Sequence, residues 1–367
     1  MASSWRRMSG LDRQSAFSGT RSVAAHLAFD AERLEAYLST VVLSFAGPLT
    51  IRQFKGGQSN PTYLIETPAR RYVLRRKPPG KLLPSAHAVD REFRVITALS
   101  AQGFPVAQAL HYCDDASVVG TPFYLMDFVE GRVFWEPDIP NATAALRAAV
   151  YDSLNATLAR LHSFDPAALG LADFGRGENY VARQVERWSK QYRASETERI
   201  DDMERLIAWL PSHLPPPAPV RLVHGDFRLD NVIIAPSSPE VVAVLDWELS
   251  TLGDPLADFA YYLMAWDMPP SPSGVGFGSL AGRDLGALGI PSRAAEVAAY
   301  RSRTGLDAGP HLATYLAYNF FRLAAILQGI AGRVRDGTAA SENAAGMAAM
   351  VHPLAAKAWQ LAQETAA

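Results

Sequence analysis

This 367-residue sequence has little cysteine and a net charge close to zero, and each of these two features excludes a class of protein. A single cysteine, Cys113, excludes an internal disulfide framework and a zinc site built from cysteine ligands. It fits a reducing compartment, and we therefore expect a cytoplasmic protein. A formal net charge of −2 argues against a broadly basic nucleic-acid binder, so no nucleic-acid partner is predicted.

The sequence also lacks an unbroken apolar run of membrane-spanning length. The longest apolar stretch, 312–331, is long enough to cross a bilayer, but Asn319, Arg322 and Gln328 interrupt it. An arginine near the centre of a bilayer costs on the order of several kcal/mol. The stretch is therefore expected to be a buried core helix, and no membrane span is predicted.

Acidic residues are rare in the N-terminal stretch. Over 1–29, Asp12 alone opposes four arginines, which are interspersed with serines. Mitochondrial presequences share this composition, although loose chain termini are common in proteins of every kind. We expect a flexible arm over 1–29, with a targeting segment as the alternative.

Two regions of different periodicity follow this arm. From 30 to 128, a helix at 31–44 precedes a series of strand, strand, strand, helix, strand and strand, predicted at 51–54, 62–66, 72–76, 88–102, 109–113 and 122–128. From 129 to 367 the pattern is mainly helical, with short strands predicted at 221–223, 231–235 and 241–245. The sequence therefore predicts an α+β protein with a smaller mixed unit and a larger helical unit.

The chemistry is concentrated in the segments LVHGDFRLDN (222–231) and VLDWE (244–248). Asp226 and Asn231 are five positions apart, the interval between Asp and Asn in the protein-kinase pattern H-R-D-L-x-x-x-N. In phosphoryl transfer, a carboxylate orients the acceptor hydroxyl and takes its proton. Asp226 is our candidate for this catalytic role, although a lone turn carboxylate could also bond backbone amides.

Asn231 and Asp246 are the candidate magnesium ligands. Magnesium prefers hard oxygen donors and keeps several waters, so an amide oxygen and a carboxylate suffice beside nucleotide phosphates. Glu248 could assist through water or cap the next turn. We expect His224 to brace the loop rather than to bind a metal.

HGDFRLDN, LDWE and GDPLADFA together resemble the aminoglycoside phosphotransferase family of small-molecule kinases. The resemblance implies a protein-kinase-like fold with an N-terminal lobe (30–128), formed by an antiparallel sheet and one main helix, and a mostly helical C-terminal lobe (129–367). It implies ATP and Mg²⁺ as cofactors, with Asp246 in the place of the kinase DFG aspartate. Asp254 and Asp258 correspond to acidic residues that stabilise the C-terminal lobe in this family.

The resemblance also implies a nucleotide site in the N-terminal lobe. Arg75 of YVLR stands where kinases have a lysine, and an ion pair with Glu92 on the following helix is implied. Strand alternation directs the adjacent Arg76 to the other face. Gly57, Ser59 and Asn60 belong to a loop expected to cover phosphates, and the backbone from Asp127 to Val129 is expected to contact adenine.

The acceptor is predicted from charge and from a closer resemblance. Between 283 and 335, seven arginines outnumber three acidic residues. This positive surplus favours an anionic acceptor, and Arg322 is a candidate contact. RRKPPGKLLPSAHAVDREFRV and FRLAAILQGI resemble the kinase-like domain of acyl-CoA dehydrogenase family members 10 and 11 and stand-alone bacterial relatives. This implies a hydroxyacyl-CoA acceptor and an acyl-CoA dehydrogenase as a pathway partner.

Three other hypotheses compete with this one. An aminoglycoside or amino-alcohol kinase would need an acidic acceptor pocket. A catalytically silent nucleotide-binding scaffold would have no chemical need for Asp226, Asn231 and Asp246 together. A metallohydrolase using His224 would need further histidine ligands at suitable spacing.

Overall fold

The computed structural model describes residues 13–43, 45–55, 60–80, 87–271, 276–337 and 343–365. The strands in this part of the chain are β1 (Thr20–Arg21), β2 (Thr50–Phe54), β3 (Thr62–Glu66), β4 (Arg71–Arg76), β5 (Ala109–Cys113), β6 (Phe123–Asp127), β7 (Arg221–Val223), β8 (Val232–Ile234), β9 (Val241–Val244) and β10 (Thr251–Gly253). The α-helices are α1 (Arg13–Phe17), α2 (Ala31–Val41), α3 (Val89–Ser100), α4 (Ala116–Val119), α5 (Ala144–Ser163), α6 (Tyr180–Ser195), α7 (Asp201–Trp209), α8 (Pro255–Leu263), α9 (Leu285–Leu288), α10 (Arg293–Thr304), α11 (Leu312–Arg335), α12 (Ala344–Ala348) and α13 (Val351–Glu364).

One antiparallel sheet with the strand order β1-β2-β3-β4-β6-β5 forms the N-terminal lobe. Alternate residues of its strands point to opposite faces. Tyr63, Tyr72 and Leu74 pack with α2 residues in one hydrophobic cluster, and α3 lies against β5 and β6. The sheet therefore has a covered outer face and a second face that α3 shares with the rest of the molecule.

Helix α3 carries one of the predicted site residues, Glu92, on its buried side. Val89, Val95, Ile96 and Leu99 recur at helical spacing and are all buried. Glu92 lies on this same face and is also buried. A glutamate is almost never buried without a partner, so its position calls for a cation nearby.

Helix α11 is the centre of the C-terminal lobe. It packs against α6, α8 and α13, and Leu316, Phe320, Leu323 and Leu327 are among its buried residues. The predicted core helix is thus confirmed in this position. Among the described residues, no helix combines the length and apolar character needed to cross a bilayer.

Two small antiparallel ladders place the sequence motifs. Strand β7 pairs with β10, and β8 pairs with β9. At the end of the β8–β9 ladder, the backbone N–H of Leu245 donates to the carbonyl of Asn231 at 2.8 Å. The loop after β7 and the residue after Leu245 are therefore brought together by backbone hydrogen bonds.

Residues 13–29 are held more firmly than the flexible arm that we expected over 1–29. Strand β1 pairs with β2, and Val23 and Phe29 pack against the sheet cluster. The expectation is corrected for this part, because edge pairing and apolar contacts attach it. Residues 1–12 lie outside the described residues.

Candidate active site

The loop after β7 is anchored by a buried carboxylate of α8. Asp258 accepts hydrogen bonds from the backbone N–H groups of His224 and Gly225, at 2.7 and 2.8 Å. The ring of His162 is a further neighbour, with its Nε2 atom 3.1 Å from Asp258 Oδ2. Although burial acts in the opposite direction, the hydrogen bond with His162 and the backbone donors lower the pKa of Asp258. A charged Asp258 thus fixes the loop.

Asp254 stabilises the start of α8. Its side chain caps the helix by accepting from the N–H groups of Leu256 and Ala257. The Tyr315 hydroxyl donates to its other oxygen at 2.8 Å. Both Asp254 and Asp258 therefore make contacts of a structural kind.

Asp226 stands in this loop with three polar partners. The Tyr261 hydroxyl donates to Oδ1 at 2.6 Å, and the Asn231 amide donates to Oδ2 at 2.9 Å. The Arg228 guanidinium lies 3.3 Å from Oδ1. Burial and the Asp226 charge raise the pKa of Tyr261, so its hydroxyl stays a donor. These contacts hold the carboxylate in one orientation.

His224 uses both of its ring nitrogens within the protein. Nδ1 accepts from the backbone N–H of Asp226 at 3.2 Å, and Nε2 lies 2.7 Å from the carbonyl of Leu245. Since a carbonyl only accepts, the proton is on Nε2. The ring therefore braces the loop against Leu245, the residue before Asp246. Because both nitrogens are occupied, His224 is not free to bind a metal as a metallohydrolase would require.

Asp246 follows β9 in an unusual backbone conformation. Its φ of 63° and ψ of 59° place a non-glycine residue in the left-handed region, which is uncommon and concentrates at functional sites. The side chain accepts from Arg75 Nη2 at 2.5 Å. Glu248 lies 3.7 Å from the same guanidinium.

The implied ion pair between Arg75 and Glu92 forms, with 2.9 Å between Nε and Oε2. Burial opposes the charge of Arg75, but Glu92 and Asp246 raise its pKa, so it remains a cation. Arg75 thus joins α3 of the N-terminal lobe to Asp246 of the C-terminal lobe. The adjacent Arg76 points to the other face, where it bonds Tyr63 at 3.1 Å.

Asn60 does not take the expected part in a phosphate-covering loop. Its side chain is fully buried, its amide donates to Glu92 at 2.7 Å, and its oxygen lies 2.9 Å from His87. The expectation is corrected because both polar ends are used inside the lobe. Gly57 and Ser59 lie outside the described residues.

A cleft of about 870 Å³ lies between the lobes. Its lining includes five of the predicted site residues, Arg75, Asp127, Val129, Asn231 and Asp246. Asp127 also pairs with Arg70 at 2.6 Å, and its backbone N–H donates to Gln108. The volume is within the range of cofactor pockets.

The donor set of this cleft fits a magnesium ion. Asn231 and Asp246 supply an amide and a carboxylate oxygen, the types that magnesium prefers. Within the described residues, no group of three or more His, Cys, Asp or Glu side chains could hold a metal ion. The ion would therefore depend on phosphate oxygens and water for its other ligands.

A second, smaller pocket of about 50 Å³ lies beside the Asp226 loop. Seven of the described residues that line it are aromatic: Phe134, Trp135, Tyr151, Tyr261, Tyr262, Trp266 and Phe277. Arg228 and Asp230 are its charged members, and they lie 3.3 Å apart. The pocket is thus mainly apolar beside a neutralised pair.

Arg322 is not placed to contact an acceptor directly. It is 6% exposed and donates to the carbonyl of Gly225 at 3.0 Å, with its guanidinium over the Tyr261 ring. The expectation of an acceptor contact is corrected, because the side chain is used beneath the loop. Arg322 instead supports the backbone just before Asp226.

The arginine excess between 283 and 335 is largely neutralised. Five of the seven pair with a carboxylate: Arg283, Arg293, Arg301, Arg303 and Arg335. Their partners include acidic residues outside that stretch, such as Asp138 and Asp152. The composition of this stretch therefore gives no support for an anionic acceptor.

Sequence reasoning missed the residues that hold Asp226. Tyr261 lies one helical turn after Asp258, and this spacing on α8 could have indicated that both face the same loop. Arg228 and Asp230 lie within the motif itself. No local sequence pattern indicated that His162 would be buried and hydrogen-bonded to Asp258.

Comparison with known proteins identifies relatives over most of the chain. A model of the "Phosphotransferase enzyme family" matches residues 50–297. Over 94% of its length, the chain is 46% identical to acyl-CoA dehydrogenase family member 10 of Mus musculus and 43% identical to family member 11 of Gallus gallus. It covers 32% and 45% of these proteins, so it spans less than half of their length.

Two solved structures share the fold. A crystal structure of a proposed aminoglycoside phosphotransferase of Ralstonia eutropha is 46% identical, with a TM-score of 0.83 over 92% of this chain and 99% of that chain. Choline kinase from Cryptosporidium parvum has a TM-score of 0.61 at 12% identity, over 92% of this chain and 95% of that chain. The second likeness concerns the fold alone. The predicted kinase-like, two-lobed α+β fold is confirmed.

Proposed function

The chain belongs to the phosphotransferase enzyme family and is a kinase acting on an alcohol group, and on this premise we propose that it transfers the γ-phosphate of ATP to the hydroxyl of a hydroxyacyl-CoA. The observation that carries the proposal is the Asp226 loop. Its carboxylate is held between Tyr261 and Asn231, beside a cleft lined by Arg75 and Asp246.

The choice of acceptor is supported by the relatives and by the pocket. Two of the relatives are named as acyl-CoA dehydrogenase family members, which suggests an acyl-CoA substrate for a kinase of the same lineage. The aromatic pocket beside Tyr261 suits an apolar acyl chain. A polycationic aminoglycoside would need a surplus of carboxylates. Among the described residues that line this pocket, Asp230 alone carries a carboxylate, and it is paired with Arg228.

Asp226 would act on the acceptor hydroxyl. Its carboxylate accepts the hydroxyl proton as the acceptor oxygen bonds to the γ-phosphorus, and the bond to the bridging oxygen of ADP breaks. Tyr261 and Asn231 hold the carboxylate in one orientation, in which it would meet the hydroxyl. Loss of one such positioning contact is costly, because small displacements reduce the rate strongly.

Arg75, Asn231 and Asp246 would bind the nucleotide end. When bound, magnesium supplies positive charge that neutralises the phosphate oxygens. Asn231 and Asp246 would hold it, while Arg75 contacts phosphate through a permanently charged, planar guanidinium. The backbone from Asp127 to Val129, which lines the same cleft, would contact the base.

The proposal extends to location and partners. A single buried cysteine suits a cytoplasmic protein. The relatives' names suggest that an acyl-CoA dehydrogenase acts in the same reaction sequence. A phosphorylated acyl-CoA would be passed to an enzyme of that class.

An ADP-release assay with two acceptor panels tests the proposal. One panel holds 3-, 4- and 5-hydroxyacyl-CoAs, and the other holds aminoglycosides and amino alcohols, each with ATP and Mg²⁺. We expect turnover on the first panel only, and its loss in Asp226→Ala with nucleotide binding retained. Turnover confined to the second panel would establish the amino-alcohol alternative. Nucleotide binding without turnover on either panel would favour the silent scaffold.

A further inference from the structure

The segment from α1 to β1, residues 13–21, crosses from one lobe to the other, and we call it the strap. Its attachment to the N-terminal lobe is through backbone. Thr20 pairs with Phe54 of β2, and the N–H of Lys55 donates to the carbonyl of Gly19 at 3.1 Å. The C-terminal end of the strap therefore behaves as an edge strand of the sheet.

The other end of the strap is bonded to the C-terminal lobe. Gln14 donates to the carbonyl of Val133 at 2.9 Å and accepts from the N–H of Trp135 at 3.2 Å. The side-chain amide thus pairs with the backbone of Val133 and Trp135 as a neighbouring β-strand would, through one donated and one accepted hydrogen bond. Phe17 adds an aromatic contact, with its ring centroid 5.0 Å from that of Trp135.

Arg13 connects the strap to the catalytic loop through charges. It donates to the carbonyl of Trp135 at 2.9 Å and lies 3.6 Å from Asp230 Oδ2. Asp230 is 3.3 Å from Arg228, which is itself 3.3 Å from Asp226. A series of alternating charges therefore runs from the strap to the proposed catalytic carboxylate.

The strap also forms a wall of the nucleotide cleft. Four of its residues line the cleft together with Arg75 and Asp246: Gln14, Phe17, Ser18 and Gly19. Trp135 and Asp230, which the strap contacts, line both the cleft and the aromatic pocket. The strap is thus attached at the junction of the two sites, where a phosphoryl group would be exchanged.

We propose that residues 13–21 are a binding segment of the enzyme, a strap that joins the lobes across the nucleotide cleft and retains the bound nucleotide. This inference rests on the proposed function, since it takes the cleft to be the nucleotide site. Release of nucleotide would require the contacts of Gln14 and Arg13 with residues 133–136 to break.

Release of a fluorescent nucleotide tests the strap in the full chain. The probe is N-methylanthraniloyl-ADP with Mg²⁺, displaced by excess ATP in a stopped-flow instrument. We expect release to be roughly five-fold faster in Gln14→Ala, which loses neutral hydrogen bonds, and roughly ten-fold faster in Arg13→Ala, which loses charged ones. Arg21→Ala, at an exposed position of the same strap, is the matched control and should release at the wild-type rate.

Thermal unfolding of each variant separates this effect from instability. Both Gln14→Ala and Arg13→Ala should unfold within a few degrees of the control while releasing nucleotide faster. If Gln14→Ala and Arg13→Ala release the probe at the rate of Arg21→Ala while the wild type binds it, the proposed role of the strap is overturned and the cleft assignment stands. No binding of the probe by the wild type would overturn the assignment of the cleft and the strap with it.

Discussion

At the scale of single residues, the candidate site depends on how one carboxylate is held. Asp226 is bonded by Tyr261 from α8, by Asn231 from its own loop, and by Arg228 two residues later. Each partner removes a rotational freedom of the side chain. Orientation of this kind is a main contribution that a protein makes to phosphoryl transfer.

Tyr261→Phe should lower kcat about ten-fold to one-hundred-fold. The variant removes a 2.6 Å hydrogen bond to a charged group, and such bonds contribute about 1.5–3 kcal/mol. The measurement is steady-state turnover on whichever acceptor panel is active, with nucleotide affinity measured alongside. Tyr37→Phe is the matched control, since its hydroxyl lies 3.0 Å from His111 in the N-terminal lobe and lines neither pocket. An unchanged kcat in Tyr261→Phe would remove the hydroxyl from the mechanism.

At the scale of elements, the C-terminal helices are joined by buried polar groups as well as by apolar packing. Glu296 of α10 accepts from Asn155 of α5 at 2.6 Å and from Tyr262 of α8 at 3.3 Å. Burial raises the pKa of Glu296 to about 7, and its hydrogen bonds only partly oppose this. Three helices therefore meet at a carboxyl that titrates near neutrality.

The stability of the wild type should fall between about pH 4.5 and pH 7 because of Glu296. The pKa of Glu296 rises from 4.5 to about 7 on folding, so the folded state binds more protons in this window. The stabilisation is complete below pH 4.5 and is lost as pH rises through 7. At about 1.4 kcal/mol per unit of pKa, the change amounts to no more than about 3.5 kcal/mol.

Urea unfolding at pH 5 and pH 8 measures this change. Glu296→Gln keeps the shape without the titration, and its unfolding free energy should vary less between the two pH values than that of the wild type. The exposed Glu186→Gln serves as the control, because Glu186 pairs with Lys190 on the surface. If the unfolding free energy of Glu296→Gln declines between pH 5 and pH 8 as steeply as that of the wild type, another group causes the pH dependence.

At the scale of the whole molecule, Arg75 is a charged connection between the lobes. It pairs with Glu92 on α3 and with Asp246 after β9, and the cleft between the lobes is lined from both sides. A ligand in this cleft that contacts both lobes should stabilise them together. Binding energy then appears as resistance of the whole chain to unfolding.

ADP with Mg²⁺ should raise the melting temperature of the wild type by a few degrees. A ligand at one hundred times its Kd adds about 2.7 kcal/mol to the stability of the folded state. Asp246→Ala should lose the magnesium-dependent part of this shift, because the proposed carboxylate ligand is gone. Asp173→Ala, which removes an exposed carboxylate, should keep it. A full magnesium-dependent shift in Asp246→Ala would refute the assignment of Asp246 to the metal.

The fold was largely predictable, because its signals are local. The strands at 62–66 and 109–113 occur as β3 and β5 with the expected bounds, and the helix at 88–102 is shorter by one residue at its start and two at its end. Differences are larger in the region 129–367, where only a mainly helical pattern was expected. That pattern is interrupted at 196–200, between α6 and α7, and at 349–350, between α12 and α13. Periodicity indicates a helix but does not indicate where neighbouring elements interrupt it.

The order of residues was enough to identify the Asp226 loop and the residues that follow β9, because these residues are contiguous and their spacing has chemical meaning. The folded chain was needed to show how Asn60 and Arg322 are used, that Tyr261 bonds Asp226, and that the N-terminal strap lies on the cleft. These outcomes depend on which side chains meet across distant parts of the chain. Such meetings follow from strand register, helix rotation and burial, which the order of residues specifies only through the completed fold.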